Sequence, residues 1–245
     1  MDNILIEHTN HEIYFSLAKE NLVNAQTLYR EIISSGRVIP MDNDKYLLRD
    51  ANPETSSWLN SKLLLLKKYV LTSIIFSALT AEAFINYYAI SKGMSIKEIK
   101  HRYKPEKYEH EEMCGHEIKK QYQLPYEERT SVKKWTVVNN GGTQMSETVT
   151  KWIEIPFQFK EKYIASGLKG RRIYELNELF RLRNKLVHHK AKVLKLEFNK
   201  TDLQSLEDNN YVSKIEAEGA IDVVEHVVKA LQQIDNDIDL NWLNP

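Results

Sequence analysis

The chain has 245 residues, no formal net charge, 42% hydrophobic and 28% charged residues. That balance is ordinary for a soluble globular protein with room for one large or two small domains, and it excludes a generic polycation. A single cysteine, Cys114, excludes an intramolecular disulfide, and 8 Gly with 6 Pro lean away from turn-rich all-β folds. The N-terminus MDNILIEHTN lacks a basic segment followed by an apolar one, so no signal peptide is expected and a reducing cytoplasm is the expected location.

The first element is a helix. Thr9 with Glu12 forms a capping-box pattern, and Gly36 closes the helix after Ser35. The segment from Gly36 to Thr55 holds two prolines and little periodicity, and reads as a loop. A second helix runs from about Ser56 to Lys92 and is apolar on nearly every side through its middle, which places it at the centre of a bundle. Its most apolar run, Tyr69 to Ala81, is shorter than the roughly 20 residues a bilayer span needs, so no membrane partner is expected. Ser95 with Glu98 starts a short third helix after Gly93.

Between residues 103 and 170 the pattern is irregular, with interruptions at Pro105, Pro125 and Pro156. Asn139-Asn140-Gly141-Gly142 is a turn signal, and its flanks KWTVV and ETVTKWIEI are compatible with a β-hairpin or with an insertion between helices. A strong helix follows over about Arg172–Lys190. Ser213 with Glu216 then opens the last one, where Ile215, Ile221, Val224, Val228, Leu231, Ile234 and Ile238 recur at helical spacing. The expected fold is all-α: one helical domain over 1–245, with about five main helices and an elaborated insertion near 103–170.

Charge is unevenly placed. Residues 160–192 carry ten Lys/Arg against three Glu, whereas residues 201–245 carry ten Asp/Glu against two Lys. The basic segment either attracts phosphates or is shielded by the acidic one.

Within the basic segment, ELFRLRNKLVHHK combines Arg, Asn and His in a turn and a half of helix. On a helical wheel Leu176, Leu179, Leu186 and Val187 form an apolar arc flanked by Phe180 and Leu182, and Arg183 falls inside it. Tyr174, Asn177, Arg181, Asn184 and His188 form the opposite, polar stripe. A guanidinium on a core-facing arc must be paired, reach water or sit at an interface. One solution is a buried ion pair with Glu82, which stands in the apolar segment SALTAEAFINYYA; the other is a cleft where Arg183 meets a phosphate. His188 is likewise either a favourable charge on a helix C-terminus, with His189 and Lys190, or a proton-transfer group. A histidine that moves protons, a guanidinium that grips phosphate and an amide that orients them are what metal-free RNA cleavage needs.

These residues resemble the HEPN superfamily. Arg183-Asn184…His188 follows its R-N-x-x-x-H pattern, and Ala78-Leu79-Thr80-Ala81-Glu82-Ala83-Phe84-Ile85-Asn86 is similar to its earlier motif-bearing helix. Pairings Arg183/His189 and Arg181/His188 also satisfy the spacing; the first is preferred because Asn184 directly follows Arg183. The resemblance covers the two motif helices and, by type only, the last helix. It implies a helical bundle that dimerises so that two motifs face one cleft, and a metal-independent endoribonuclease of toxin or phage-defence type with no cofactor. It further implies His188 as general acid or base, Arg183 as stabiliser of the phosphate and Asn184 as positioner, with Glu82, His189 and Arg181 as supporting or alternative residues. Arg171, Arg172, Lys185 and Lys190 would hold the RNA backbone, and an antitoxin or regulatory protein would restrain the activity. A catalytically silent member would instead bind RNA, nucleotide or a protein. The tyrosine that some members carry two residues after the motif histidine is here Lys190, or Ala191 if His189 is the motif residue, which argues against regulation by adenylylation there.

On an ideal helix Arg183 and His188 leave the axis about 140° apart, so a shared interface or an unwound helix end is needed to bring them together. His101, His110, Cys114 and His116 fit no common zinc spacing, so no metal site is expected. Tyr103, Tyr108, Tyr122, Tyr126 and Trp135 either stack on bases or pack the insertion.

Overall fold

The computed structural model describes residues 10–40, 46–50, 52–102, 136–137, 143–144, 147–162, 164, 171–188 and 214–243. Helices dominate them: α1 His11–Ser34, α2 Pro53–Ser91, α3 Ile96–Arg102, α4 Glu147–Lys160, α5 Arg171–His188 and α6 Lys214–Ile234. Two short antiparallel pairs accompany the helices: β1 Val38–Pro40 with β2 Tyr46–Leu48, and β3 Thr136–Val137 with β4 Thr143–Gln144. The all-α expectation holds at this level.

Helix ends follow local chemistry. Past α1, Gly36 takes φ +70°, a conformation that costs glycine little, and the Arg37 N–H donates to Ser35 Oγ at 3.1 Å. Asn52 caps α2 by accepting from the Thr55 N–H at 2.8 Å, and Pro53 occupies the first turn, where its missing N–H costs nothing. Gly93, at φ +92°, ends α2. The Ser95/Glu98 box is complete: the Ser95 N–H donates to Glu98 Oε2 at 2.8 Å and the Glu98 N–H to Ser95 Oγ at 3.2 Å.

Two expectations are corrected. The stretch from Gly36 to Thr55 is not all loop, because Val38 to Leu48 closes into the β1/β2 hairpin with Ile39 opposite Leu47. ETVTKWIEI is not a strand but the body of α4, and Pro156 lies inside that helix instead of breaking it. Val149, Trp152, Ile153 and Pro156 bury one helical face; that burial outweighs the backbone bond that the proline forgoes. The strand after the NNGG turn is instead Thr143–Gln144, paired with Thr136–Val137.

The chain divides into two compact units. The first comprises residues 1–12, 79–181 and 223–245. Its core includes Phe84, Ile85, Tyr88, Trp152, Ile155, Leu176, Phe180, Val227 and Leu231. The Trp152 indole N–H donates to the Ala81 carbonyl at 3.1 Å, and its ring stacks on Phe84 at 5.9 Å, so α4 is fixed against α2 both by packing and by a polar bond. Around Phe84 stand His11, Tyr87 and Trp242, with His11 within 5.2 Å of each ring.

At one end of this unit the fully buried Asp235 carboxylate receives Lys92 Nζ at 2.6 Å, Lys160 Nζ at 2.9 Å and the Tyr88 hydroxyl at 3.0 Å. Lys92 follows α2, Lys160 ends α4 and Asp235 follows α6, so one carboxylate ties three helix ends. Burial alone would raise the Asp235 pKa; the hydrogen bonds from Lys92, Lys160 and Tyr88 overcome it and hold the carboxyl well below its ordinary range. Burial and the Asp235 charge both push the Tyr88 phenol up.

The second unit comprises residues 13–78 and 182–222. Phe15, Ala18, Ala25, Ile32, Val70, Ile74 and Ile221 are among its buried side chains. Ser73 Oγ donates to the Ala18 carbonyl at 2.9 Å, and Tyr14 stacks on Phe76 at 5.9 Å, so α1 and the first half of α2 are locked side by side. Helix α2 is long and apolar enough to meet a length-and-composition test for a membrane span, a test that a core helix of this kind also meets. Its buried Ser73, Ser77 and Thr80 sit among the apolar side chains, and Ser77 donates back to the Ser73 carbonyl at 2.9 Å.

Candidate functional site

The motif lies at the C-terminal end of α5. The first half of this helix buries Ile173, Leu176, Asn177, Leu179 and Phe180. Asn177 was expected on the polar stripe, yet it is only 3% exposed; Val187 was expected on the apolar arc, yet it is 50% exposed. Both departures have one cause. The buried arc is centred near Ile173, Leu176 and Phe180, one step round from the arc the leucines suggest, and the last turn lies open. Arg183, Asn184 and Val187 therefore continue the buried face of α5 into its exposed end.

Arg183 is half-buried, and its Nη1 donates to Asn184 Oδ1 at 2.9 Å. Neighbours i and i+1 do not face each other on a helix, so the arginine chain must lie along the helix surface to reach this amide. Its Nε is buried and has no hydrogen-bond partner among the described residues. An orphaned buried donor costs about 1–3 kcal/mol, and Nε belongs to the guanidinium edge that grips an oxyanion side-on. Asn184 thus holds one side of the fork, while Nε on the other lacks an acceptor among the described residues.

The helix continues through His188, so the backbone does not unwind before the histidine. Arg181 is exposed and paired with Glu178 at 3.3 Å, and Lys185 is exposed beside the motif. Glu82 is half-buried, and the Arg183 guanidinium donates instead to Asn184 Oδ1. Glu82 has no ion-pair partner among the described residues. Arg171 and Arg172 form the first turn of α5. His189, Lys190, His110, Cys114, His116, Tyr103, Tyr108, Tyr122, Tyr126 and Trp135 lie outside the described residues.

The sequence reading missed two polar centres. One is the Asp235 clasp. Its signal was an acid directly after a helix C-terminus, where the helix dipole disfavours negative charge unless cations compensate. The other is His11, 3% exposed, with Nδ1 buried and without a partner among the described residues; burial lowers its pKa to about 4. Its place at the start of α1 gave no hint of an aromatic enclosure.

Comparison of the chain with protein-family models, curated proteins and solved structures finds no match.

Proposed function

We propose that this chain is an endoribonuclease of HEPN type that cuts RNA without a metal ion, at a site shared by two copies of the protein. The observation that carries the reading is the Arg183 guanidinium: tethered to Asn184 on one side and with a buried Nε that lacks an acceptor among the described residues, about a turn and a half before His188 on the same helix.

In this reading the open guanidinium edge receives a non-bridging phosphate oxygen and stabilises the charge that builds in the transition state. His188 takes the proton of the ribose 2′-hydroxyl; the 2′-oxygen bonds to phosphorus as the bond to the 5′-oxygen breaks. The leaving 5′-oxygen is protonated in turn. The products are a 2′,3′-cyclic phosphate and a 5′-hydroxyl. Asn184 keeps the fork in place. Arg181, neutralised by Glu178, is a weaker candidate for the arginine role.

Support for a second copy comes from the surface. Among the described residues, the exposed large hydrophobic side chains are Ile13, Val23, Ile39, Leu47, Leu64, Leu65, Val187 and Ile215. All eight fall in the second unit, which also holds Arg183, Asn184 and His188. Val187 stands directly before His188. An exposed apolar side chain beside the motif is what a self-association surface requires.

The test is incubation of the purified protein with single-stranded RNA in EDTA, with analysis of the product ends. The reading expects chelator-resistant cutting, cyclic-phosphate ends and loss of cutting in His188→Ala. RNA binding with no cutting would support a catalytically silent RNA-binding module instead.

A further inference from the structure

The β1/β2 hairpin carries a second cationic feature, separate from the motif. Ile39 lies opposite Leu47, and the Arg49 N–H donates to the Arg37 carbonyl at 2.9 Å, which continues the ladder by one step and sets Arg37 against Arg49. Side chains alternate across a strand, so Arg37, Ile39, Leu47 and Arg49 share one face. All four are exposed, whereas Val38, from the other face, is buried. This face is outward by construction.

Like charges directly opposite each other on a two-stranded ribbon destabilise it. Neither arginine has an ion-pair partner among the described residues. Arg37 is nevertheless held, because its guanidinium carbon lies 5.1 Å from the centre of the Trp58 ring. This cation–π contact holds the guanidinium over the indole without consuming its N–H donors. A fixed, unpaired cation facing a second one is an arrangement completed by an anion between them.

The neighbouring pair identifies the anion's chemistry. Ile39 and Leu47 are 40% and 55% exposed, and they lie about 7 Å along the ribbon from the arginines, two residues at strand spacing. A ligand suited to this face alternates charge with flat apolar surface. Single-stranded nucleic acid has that alternation in its phosphates and unstacked bases, one charge for every base.

We propose that the outward face of the β1/β2 hairpin binds single-stranded nucleic acid. Arg37 and Arg49 clamp one phosphodiester, and Ile39 with Leu47 receives an adjacent base. The site requires no cleavage, so a chain that binds RNA without cutting it satisfies the proposal.

The experiment is fluorescence anisotropy of a labelled oligouridylate with full-length His188→Ala protein, titrated between 50 and 200 mM KCl. Its partner is the same protein carrying Arg37→Gln and Arg49→Gln; both positions are exposed, and matching far-UV circular dichroism confirms the fold. Each phosphate neutralised on a single strand contributes about 0.7 to the slope of log affinity against log salt, so removing the clamp on its one phosphodiester is expected to reduce that slope by about 0.7. Equal slopes and affinities in the two proteins overturn the proposal, as does oligoglutamate binding that depends on Arg37 and Arg49 where oligouridylate binding does not. Cutting by wild-type protein is measured separately, so a failed clamp and a failed nuclease give different results.

Discussion

Replacement of His11 by Phe isolates the linkage between one buried imidazole and folding. The His11 ring is 3% exposed among Phe84, Tyr87 and Trp242, and its Nδ1 has no hydrogen-bond partner among the described residues. Two effects oppose each other there. The aromatic rings would attract an imidazolium by about 0.5–2 kcal/mol, whereas burial removes the water that solvates its charge. Burial prevails, and the pKa falls from 6.5 to about 4. A group whose folded pKa lies below its unfolded value binds protons more readily when unfolded, so the stability present above pH 6.5 declines as pH falls toward 4. At about 1.4 kcal/mol per pKa unit, the full loss is roughly 3 kcal/mol, of which about 2 kcal/mol is reached by pH 5. Urea unfolding followed by circular dichroism at pH 7.5 and pH 5 measures it. Wild-type protein should lose about 2 kcal/mol more than His11→Phe over that interval, whatever the variant's stability at pH 7.5. Equal losses would refute the buried, neutral histidine, and a smaller loss in wild type would mean that the aromatic rings hold the imidazolium.

Asp235→Asn leaves Lys92 and Lys160 without their shared carboxylate and should destabilise the protein by about 3 kcal/mol in urea titration. Because the Asp235 carboxyl is held below its ordinary range, its contribution is present above the unfolded value and lost only as pH falls below it. The difference between wild type and variant should therefore stay constant from pH 5 to pH 8. A difference that shrinks between pH 8 and pH 5 would show that the carboxylate is not so held. Trp152→Phe removes the indole bond to the Ala81 carbonyl and part of a fully buried ring, at a cost of about 2 kcal/mol. Calorimetry should show a fall in Tm of about 4–8 °C, and an unchanged Tm would refute the role of α4 in the core.

Legibility in the sequence tracked how local the determinant was. Gly36, Gly93 and the Ser95/Glu98 box act within a few residues, and the helix ends they mark stand where the sequence places them. Helix α4 was hidden because its β-branched residues and the alternation of Ile153, Glu154 and Ile155 read as a strand, while the helical spacing of Val149, Trp152 and Pro156 was obscured by the proline itself. The wheel identified Arg183 as an anomaly but misplaced Asn177 and Val187, since four leucines and a valine mark only part of a face whose burial depends on neighbouring helices. Asp235 and its lysines meet only in tertiary structure, beyond the reach of any spacing rule.

The central claim is an RNA-cutting site assembled from Arg183 of one copy and His188 of another. Complementation tests it most directly. Arg183→Ala and His188→Ala are purified separately, then mixed in equal amounts under conditions that allow subunits to exchange, and assayed on single-stranded RNA in EDTA. Each variant alone should be inactive. The mixture should recover about a quarter of wild-type cutting, because half of the dimers are mixed and each of those keeps one intact site. Cutting by either variant alone at the wild-type rate, or a mixture as inactive as its components, would contradict the account.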